Sequence, residues 1–231
     1  MTKTITGFIL AAVLWFVMFS PWTAHLVNFW YTMAASGLML SAYAFIFGKD
    51  WKQRLLPASA CEWAKQIALG IAIAAVLWCA FWVGDKLSQL MFDFARPQVD
   101  GIYGMKGDMP DWLVGCLLLF VIGPAEEIFW RGFLQYSVLQ KYVGNETKSF
   151  GTKGMMFVHD LKCHGAWIAF ALALAGYCFV HIWSFNFMLL AAAAVCGAAW
   201  GVLYRLFPNW FPALVISHAL WDVAAFVIFP F

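Results

Sequence analysis

Charged side chains are scarce in this sequence of 231 residues, where they make up only 11% of the chain. An average soluble domain has about 25% charged residues, and a soluble fold cannot cover its surface with so few. Hydrophobic residues instead reach 64%, and aromatic residues reach 19% with 14 tryptophans. Aromatic rings are typical of helices anchored at the two membrane interfaces. The composition excludes an ordinary soluble domain and predicts a polytopic membrane protein.

Basic clusters and an obvious disulfide framework are also lacking. The net charge is only +2, and no run of lysine or arginine resembles a nucleic-acid-binding arm, so we expect no nucleic-acid partner. Four of the six cysteines, Cys79, Cys116, Cys178 and Cys196, lie inside apolar segments. We interpret them as small buried side chains, and the partner that the composition predicts is the lipid bilayer.

Seven apolar segments are long enough to cross a bilayer, which takes about 20 helical residues. They are residues 5–22, 28–48, 64–84, 112–141, 165–183, 187–206 and 212–229. The sequence therefore predicts an all-α transmembrane bundle that forms one membrane domain over residues 1–231. Gly123-Pro124 lies inside the fourth segment and predicts a kink or a break there. A break would raise the number of spans to eight.

Lysine and arginine are unequally shared between the connecting segments. With the N-terminus inside, ten of them fall on inner segments, three fall on outer ones, and one remains within a span. The positive-inside rule then places the N-terminus in the cytoplasm. We interpret the first segment as an anchor rather than a cleaved signal peptide, because its apolar run is long and the second span follows at once. The sequon at Asn145 then lies in the cytoplasm and carries no weight.

Titratable side chains well inside the predicted spans are confined to three of them. They are Glu126, Glu127 and Arg131 in the fourth, His181 in the fifth, and His218 and Asp222 in the seventh. A charge at the bilayer centre costs about 2.5–3.5 kcal/mol on insertion scales and by default marks a functional site. We interpret these residues as one shared active site. A structural ion pair, a core histidine or an ion-transport site are the alternatives.

Helical spacing separates the roles of the acidic residues in the fourth span. Glu127 and Arg131 are four residues apart and share a helix face, in the acid-before-base order that favours an ion pair. Glu126 is rotated by about 100° from Glu127 and lacks that partner. The spacing therefore assigns Glu127 to a structural pair and leaves Glu126 as the candidate base.

The later spans repeat this spacing. His218 and Asp222 are four residues apart on one face, and Tyr177 precedes His181 by one turn as an aromatic wall. Other intramembrane hydrolases are not indicated, because no H-E-x-x-H or Gly-x-Ser-Gly motif occurs and Asp222 is the sole aspartate in a predicted span. A cluster of metal-ligand residue types lies in a basic loop with irregular spacing, which favours a solvated loop. Its members are His159, Asp160, Cys163 and His164.

Three motifs follow one another on separate spans. They are Glu126-Glu127-Ile-Phe-Trp-Arg131, Tyr177-Cys-Phe-Val-His181 and His218-Ala-Leu-Trp-Asp222. They resemble the E-E-x-x-x-R, F-x-x-x-H and H-x-x-x-Asn/Asp motifs of the CAAX-protease and bacteriocin-processing (CPBP) family, with tyrosine in place of phenylalanine. The resemblance covers about half of the chain, whereas the first three spans match only in being hydrophobic.

The resemblance implies a membrane-embedded glutamate endopeptidase with its catalytic core at residues 112–229, preceded by N-terminal spans and an outer loop at 1–111. Glu126 would activate a water together with His181. His218 and Asp222 would support the oxyanion or orient the water. The orienting residues would be Glu127, Arg131 and Tyr177. No cofactor is expected, and zinc bound by a glutamate and two histidines is the rival mechanism.

The candidate site residues lie at different predicted depths in the bilayer. At 1.5 Å per residue, Glu126 and His218 lie about 9 Å from the inner face of a 30 Å core, and a straight fifth span puts His181 about 24 Å from it. A short hairpin or a strong tilt must bring His181 closer. Because two of the three elements lie nearer the inner face, we expect the site to open toward the cytoplasm.

The resemblance leaves two substrate classes open. We expect a membrane-associated or secreted peptide or protein as substrate and a bacterial cell membrane as location. Eukaryotic members of the family cut prenylated C-termini, whereas bacterial ones process or resist secreted peptides. A proteolytically silent scaffold or immunity protein of the same fold is the alternative function.

Overall fold

The computed structural model describes residues 2–48, 50–138 and 164–231, and the regular elements within these ranges are all helical. Eight helices follow one another, with short 3₁₀ turns between some of them. They are α1 (Thr2–Phe19), α2 (Phe29–Phe47), α3 (Ala60–Met91), α4 (Ala95–Gly104), α5 (Asp111–Val138), α6 (His164–His181), α7 (Phe187–Leu206) and α8 (Phe211–Val223). The sequon at Asn145 and the cluster at 159–163 lie outside the described residues, as does the side chain of His164.

Seven of the helices in the described part of the chain are long and apolar enough to cross a membrane, α8 together with the 3₁₀ and π-helical turns that extend it to Pro208–Ile228. The all-α bundle of seven spans is therefore confirmed, and the chain is a multi-pass membrane protein. The short amphipathic helix α4 is the exception. The third span is longer than predicted, since α3 has 32 residues, or about 48 Å of helix against a core of about 30 Å.

Side-chain caps determine where three of the spans begin. Asn28 accepts a hydrogen bond from the backbone N–H of Tyr31 at the start of α2, at 3.1 Å. Ser59 caps α3 and Asn186 caps α7 in the same way, at 3.2 and 2.9 Å. Each cap satisfies a backbone donor that has no partner within its helix. Helix starts near the membrane surface are thus specified by single polar residues.

The kink predicted at Gly123-Pro124 takes the form of a π-helical turn, and α5 continues through it. Pro124 has no N–H and cannot donate to a carbonyl in the preceding turn. The N–H of Gly123 instead reaches back five residues to the carbonyl of Leu118. A second π-helical segment, Ile128–Gln135, follows the α-helical residues Gly123–Glu127. Wide turns of this kind are frequent at functional sites, and these two flank the paired glutamates.

Close helix contacts surround these glutamates. A Cβ atom added to Gly123 would lie 2.7 Å from the Cα of Ala219, so only glycine lets α5 approach the backbone of α8 here. On α7, a Cβ on Gly197 would lie 2.7 Å from Leu174 and 3.0 Å from Tyr177 of α6. Gly197 thus lets α7 pack closely against α6, as small residues do in helices that associate in lipid.

The bundle has two chemically different ends. The basic end carries residue 2, the α2–α3 and α7–α8 connections and the end of α5; there Gln66 donates to the carbonyl of Asn209, at 3.1 Å. The acidic end comprises residues 20–28, 85–111, 184–187 and 228–231, with five aspartates between 85 and 111. At that end α4 meets the α6–α7 turn, where Asn186 donates to the carbonyl of Gln98 at 2.8 Å.

Gly123→Ala should lower the free energy of unfolding by about 1–3 kcal/mol, because backbone atoms of α8 cannot move aside as a flexible side chain would. Denaturation of the purified protein in detergent measures this change. Gly104→Ala is the matched control, since an added Cβ there meets no atom within 4 Å. Equal stability of the two variants would contradict the close approach of α5 and α8.

Candidate active site

A cavity of about 400 Å³ lies within the bundle and reaches the acidic end. Five of the predicted site residues line it, namely Glu126, Tyr177, His181, His218 and Asp222. Aromatic and small apolar side chains form most of the remaining wall, including Phe19, Trp30, Phe81, Ala192 and Trp221. The structure therefore brings residues of α5, α6 and α8 to one apolar chamber.

Glu126 lies in the wall of this cavity, at the centre of α5. One of its carboxylate oxygens, Oε2, accepts a hydrogen bond from the Tyr177 hydroxyl at 2.7 Å. The residue is 7% exposed, and it lines the cavity. Tyr177 is thus more than an aromatic wall, because its hydroxyl contacts the candidate base directly. The signal was present in the sequence, where tyrosine stands at a position that is phenylalanine in the family motif.

Glu127 lies on a different face of α5 from Glu126 and is completely buried. Its Oε1 lies 3.0 Å from Nη1 of Arg131 and 2.8 Å from Nδ1 of His218. Among the residues that the structure describes, neither Glu127 nor Arg131 lines the cavity. The structure therefore brings Glu127 together with Arg131, as the four-residue spacing indicated, and adds His218 from another helix.

Arg131 lies between two aromatic rings. Its guanidinium carbon is 4.9 Å from the ring centre of Tyr177 and 5.6 Å from that of Trp200. Cation–π contacts of this kind are stronger where the cation is desolvated, and Arg131 is only 2% exposed. The rings therefore share in stabilising a charge that the carboxylate of Glu127 neutralises.

His181 has a partner at each ring nitrogen. Nδ1 lies 2.7 Å from the carbonyl oxygen of Tyr177, and Nε2 lies 3.3 Å from the indole nitrogen of Trp15. An indole N–H is only a donor, so Nε2 accepts and Nδ1 carries the proton that is donated to the carbonyl. The neighbours of His181 thus select one neutral tautomer.

His181 and Glu126 form no direct hydrogen bond within the described residues. His181 ends α6, and its ring lies 5.5 Å from that of Phe19 at the acidic end of α1. Tyr177, one turn deeper in the membrane, makes the contact with Glu126 instead. The depth mismatch that the sequence predicted is therefore bridged by the Tyr177 hydroxyl.

His218 stacks on Trp200, with ring centres 3.8 Å apart and planes inclined by 19°. Trp200 in turn donates from its indole nitrogen to Ser217, at 2.9 Å. On the cavity side, Nε2 of His218 lies 3.7 Å from Oδ2 of Asp222, which is too long for a hydrogen bond. The two side chains can share a water or a substrate atom at that distance.

Two tryptophans in this site were not predicted from the sequence. Trp15 holds His181, and Trp200 holds His218 and Arg131. Both lie in apolar helical runs among 14 tryptophans, so no local pattern distinguishes them. Their roles depend on contacts between helices that are distant in the sequence.

The cavity reaches the acidic end of the bundle, and the opening predicted at the basic end is wrong. Its outer walls include Ser88 at the end of α3, Tyr103 of α4 and Phe187 at the start of α7. The prediction followed α5 and α8, which hold two of the three motifs. Those helices place Glu126 and His218, but α3, α4 and α7 supply the cavity residues nearest the acidic end.

A zinc site can be tested against these contacts. A catalytic zinc ion would need three protein ligands, which would come from Glu126, His181, His218 and Asp222. Tyr177 and Trp15 occupy Glu126 Oε2 and His181 Nε2, and His218 Nδ1 faces Glu127. Among the described residues, no group of three or more ligand side chains is close enough to hold a metal ion. The residues as arranged do not fit a zinc ion.

The fold and the site define a multi-pass membrane protein whose buried carboxylates and histidines surround an apolar chamber. Residues 108–224 match the sequence profile of the type II CAAX prenyl endopeptidase Rce1-like family, which is part of the CPBP group. Because the match covers half of the chain, the chain belongs to this family of membrane proteases, and the resemblance of its three motifs is confirmed. No curated protein and no solved structure to which the chain was compared gave a match.

Glu127→Gln should destabilise the protein by about 3–5 kcal/mol, because it leaves the charge of Arg131 buried without its counterion. Adding Arg131→Met should restore part of that loss, since no unpaired charge then remains. A double-mutant cycle measured by denaturation in detergent gives the coupling energy. Additive effects of the two changes would show that the side chains do not interact.

Proposed function

We propose that this protein is an endopeptidase that cleaves peptide bonds inside the membrane with a water activated by Glu126. Membership of a protease family supports hydrolysis in general. One observation supports the choice of base: of two adjacent carboxylates, Glu126 lines the cavity while Glu127 is sealed in a charge cluster. Only Glu126 can therefore meet a substrate and a water.

The Tyr177 hydroxyl orients this base. By donating to Oε2 of Glu126, it leaves the other carboxylate oxygen to accept a proton from water. A water in the cavity next to that oxygen would attack the carbonyl carbon of the scissile bond. The apolar wall strengthens each of these polar contacts, because bulk water does not compete for them.

His218 is placed to stabilise the oxyanion that forms on the carbonyl oxygen. With Glu127 2.8 Å from Nδ1 and Asp222 3.7 Å from Nε2, a protonated His218 has an acceptor beside each nitrogen. Its Nε2–H can then donate to the oxyanion in the cavity. In this arrangement Asp222 acts through His218, so its own charge need not face the oxyanion.

His181 is the remaining proposed catalytic residue. Its Nε2 is the nitrogen without a proton, and Trp15 competes with water for it. When Trp15 releases that nitrogen, His181 can accept a proton from the attacking water or help return one to the leaving amine. His181 lies on the mouth side of Glu126, so a peptide in the cavity would lie between these residues.

The substrate we propose is a peptide or protein held in or at the membrane, in a bacterial cell membrane with the N-terminus of the enzyme in the cytoplasm. The apolar cavity supports a hydrophobic substrate segment. The second candidate function is a silent scaffold or immunity protein. The directed contact between Tyr177 and Glu126 favours the enzyme, since a scaffold does not need a carboxylate aimed into a cavity.

Glu126→Gln should lower the cleavage rate by about 10²–10⁴-fold, because the base is lost while the shape of the side chain is kept. Its melting temperature should match that of the wild type, since Glu126 neutralises no buried cation. A farnesylated fluorogenic peptide and its unlipidated counterpart, tested in detergent, serve as probes. Wild-type activity in the Glu126 variant would overturn the assignment of the base, and Glu127→Gln controls for general destabilisation.

Activity should survive exhaustive treatment with a strong chelator, and the purified active protein should contain no stoichiometric zinc. The expected result follows from the described residues, among which no three ligand side chains are close enough to hold a metal ion. Metal analysis before and after chelation measures it. One zinc per chain, lost together with activity and restored with it, would instead make Glu126, His181 and His218 ligands.

A further inference from the structure

The lining of the cavity extends to the outer surface of the bundle between α3 and α7, in the half nearer the acidic end. α3 packs mainly against α8, and α7 packs mainly against α6, so the cavity lies between them. Ala80 and Gly84 of α3 line the cavity and are also exposed on the surface of the bundle. Val195 of α7 lines it from the other side and is 49% exposed. These small side chains border a gap that faces lipid.

α4 covers the acidic end of the cavity and is hydrogen-bonded both to α7 and to the segment that follows α8. Gln98 of α4 accepts a hydrogen bond from the backbone of Met188 in α7, at 3.0 Å. Tyr103 donates to the carbonyl of Ala225 beyond α8, at 3.0 Å. A polypeptide arriving along the membrane normal would have to break these contacts, whereas the gap below α4 is open to the bilayer.

The charged side chains at the two ends of the bundle indicate on which side of the membrane this gap lies. Each cation at the acidic end is paired with an aspartate: Lys86 with Asp85, Arg96 with Asp100, and Lys106 with Asp111. The hydrogen bond from Arg96 lowers the pKa of Asp100, so that pair is fully charged at neutral pH.

Unbalanced positive charge lies at the opposite end. Arg54 contacts Tyr136 near the end of α5, which places that end with the basic connections. The sequence between α5 and α6 contains four more lysines. The positive-inside rule then puts the basic end in the cytoplasm and the cavity mouth on the other side.

We infer that the substrate is an exported polypeptide with a hydrophobic anchor in the non-cytoplasmic leaflet, and that this anchor reaches Glu126 through the gap between α3 and α7. The inference rests on the proposed proteolysis and adds the side and the route. An apolar anchor fits because the wall is continuous from the gap to Glu126 and consists largely of aromatic and small residues. Such an anchor passes from lipid into the cavity without meeting water.

The side of the membrane can be tested without any substrate. Cys61 is exposed at the basic end, and Gly104 at the acidic end has open space around an added side chain. Two variants are prepared, one with Cys61 as its only accessible cysteine and one with Gly104→Cys as its only accessible cysteine. Both are treated with an impermeant maleimide on intact cells. We expect labelling of Gly104→Cys, and labelling of Cys61 only after permeabilisation. The reverse pattern would place the mouth in the cytoplasm and overturn the inference.

The route is tested in nanodiscs, where both membrane faces are accessible. Gly84→Trp fills the gap without an initial clash, because no atom lies within 4 Å of an added Cβ. We expect it to lower kcat/KM for the farnesylated peptide by about tenfold or more. Gly104→Trp, an equally open glycine outside the gap, should cleave as the wild type does, and both should melt like the wild type.

The outcomes separate the route from the chemistry. Cleavage by Gly84→Trp at the wild-type rate would exclude the gap as the route and leave the proposed function standing. A wild-type protein that cleaves neither the lipidated nor the unlipidated peptide, in detergent or nanodiscs, would contradict the proposed function and the route with it. The labelling result decides the side of the membrane in either case.

Discussion

The charge of Arg131 inside the bilayer is the constraint around which the rest of the site is built. A lone cation in hydrocarbon is unstable, so its partners must be held close to it by the fold. They come from four helices: Glu127 on α5, Tyr177 on α6, Trp200 on α7 and, through Glu127, His218 on α8. Any movement that separated these helices would expose the Glu127–Arg131 pair to lipid without its aromatic and histidine partners. The desolvation penalty thus acts as a positional restraint on all four.

This restraint also divides two adjacent glutamates. Because Glu127 is fixed to Arg131, the turn of α5 directs Glu126 into the cavity, where the Tyr177 hydroxyl meets it. Tyr177 contacts both the charge cluster and the proposed base, since Arg131 lies over its ring and its hydroxyl donates to Glu126. The structural charge cluster and the proposed base are therefore oriented by the same side chain. The close approach at Gly197 leaves room for that ring.

The two halves of the chain contribute differently. Residues 108–224, which match the family, carry the carboxylates, both histidines and Trp200. The preceding helices lie outside the match, yet α1 supplies Trp15 to His181, and α3 supplies the small residues that border the cavity. We therefore expect the chemistry to follow the family, whereas access to the site also depends on helices outside the matched residues.

The sequence by itself determined the membrane class, the seven spans, and the pairing of Glu127 with Arg131, because these depend on composition and on contacts within one helix. Tyr177 was recognised, but its contact with Glu126 required the packing of α6 against α5. Trp15 and Trp200 could not be distinguished from other tryptophans, and the mouth was assigned to the wrong end. These features arise where separate helices meet. In an apolar chain, almost any residue is compatible with either a lipid-facing or a buried position, so the sequence pattern does not show which residues meet. Only the tertiary structure decides which ones share a point in space.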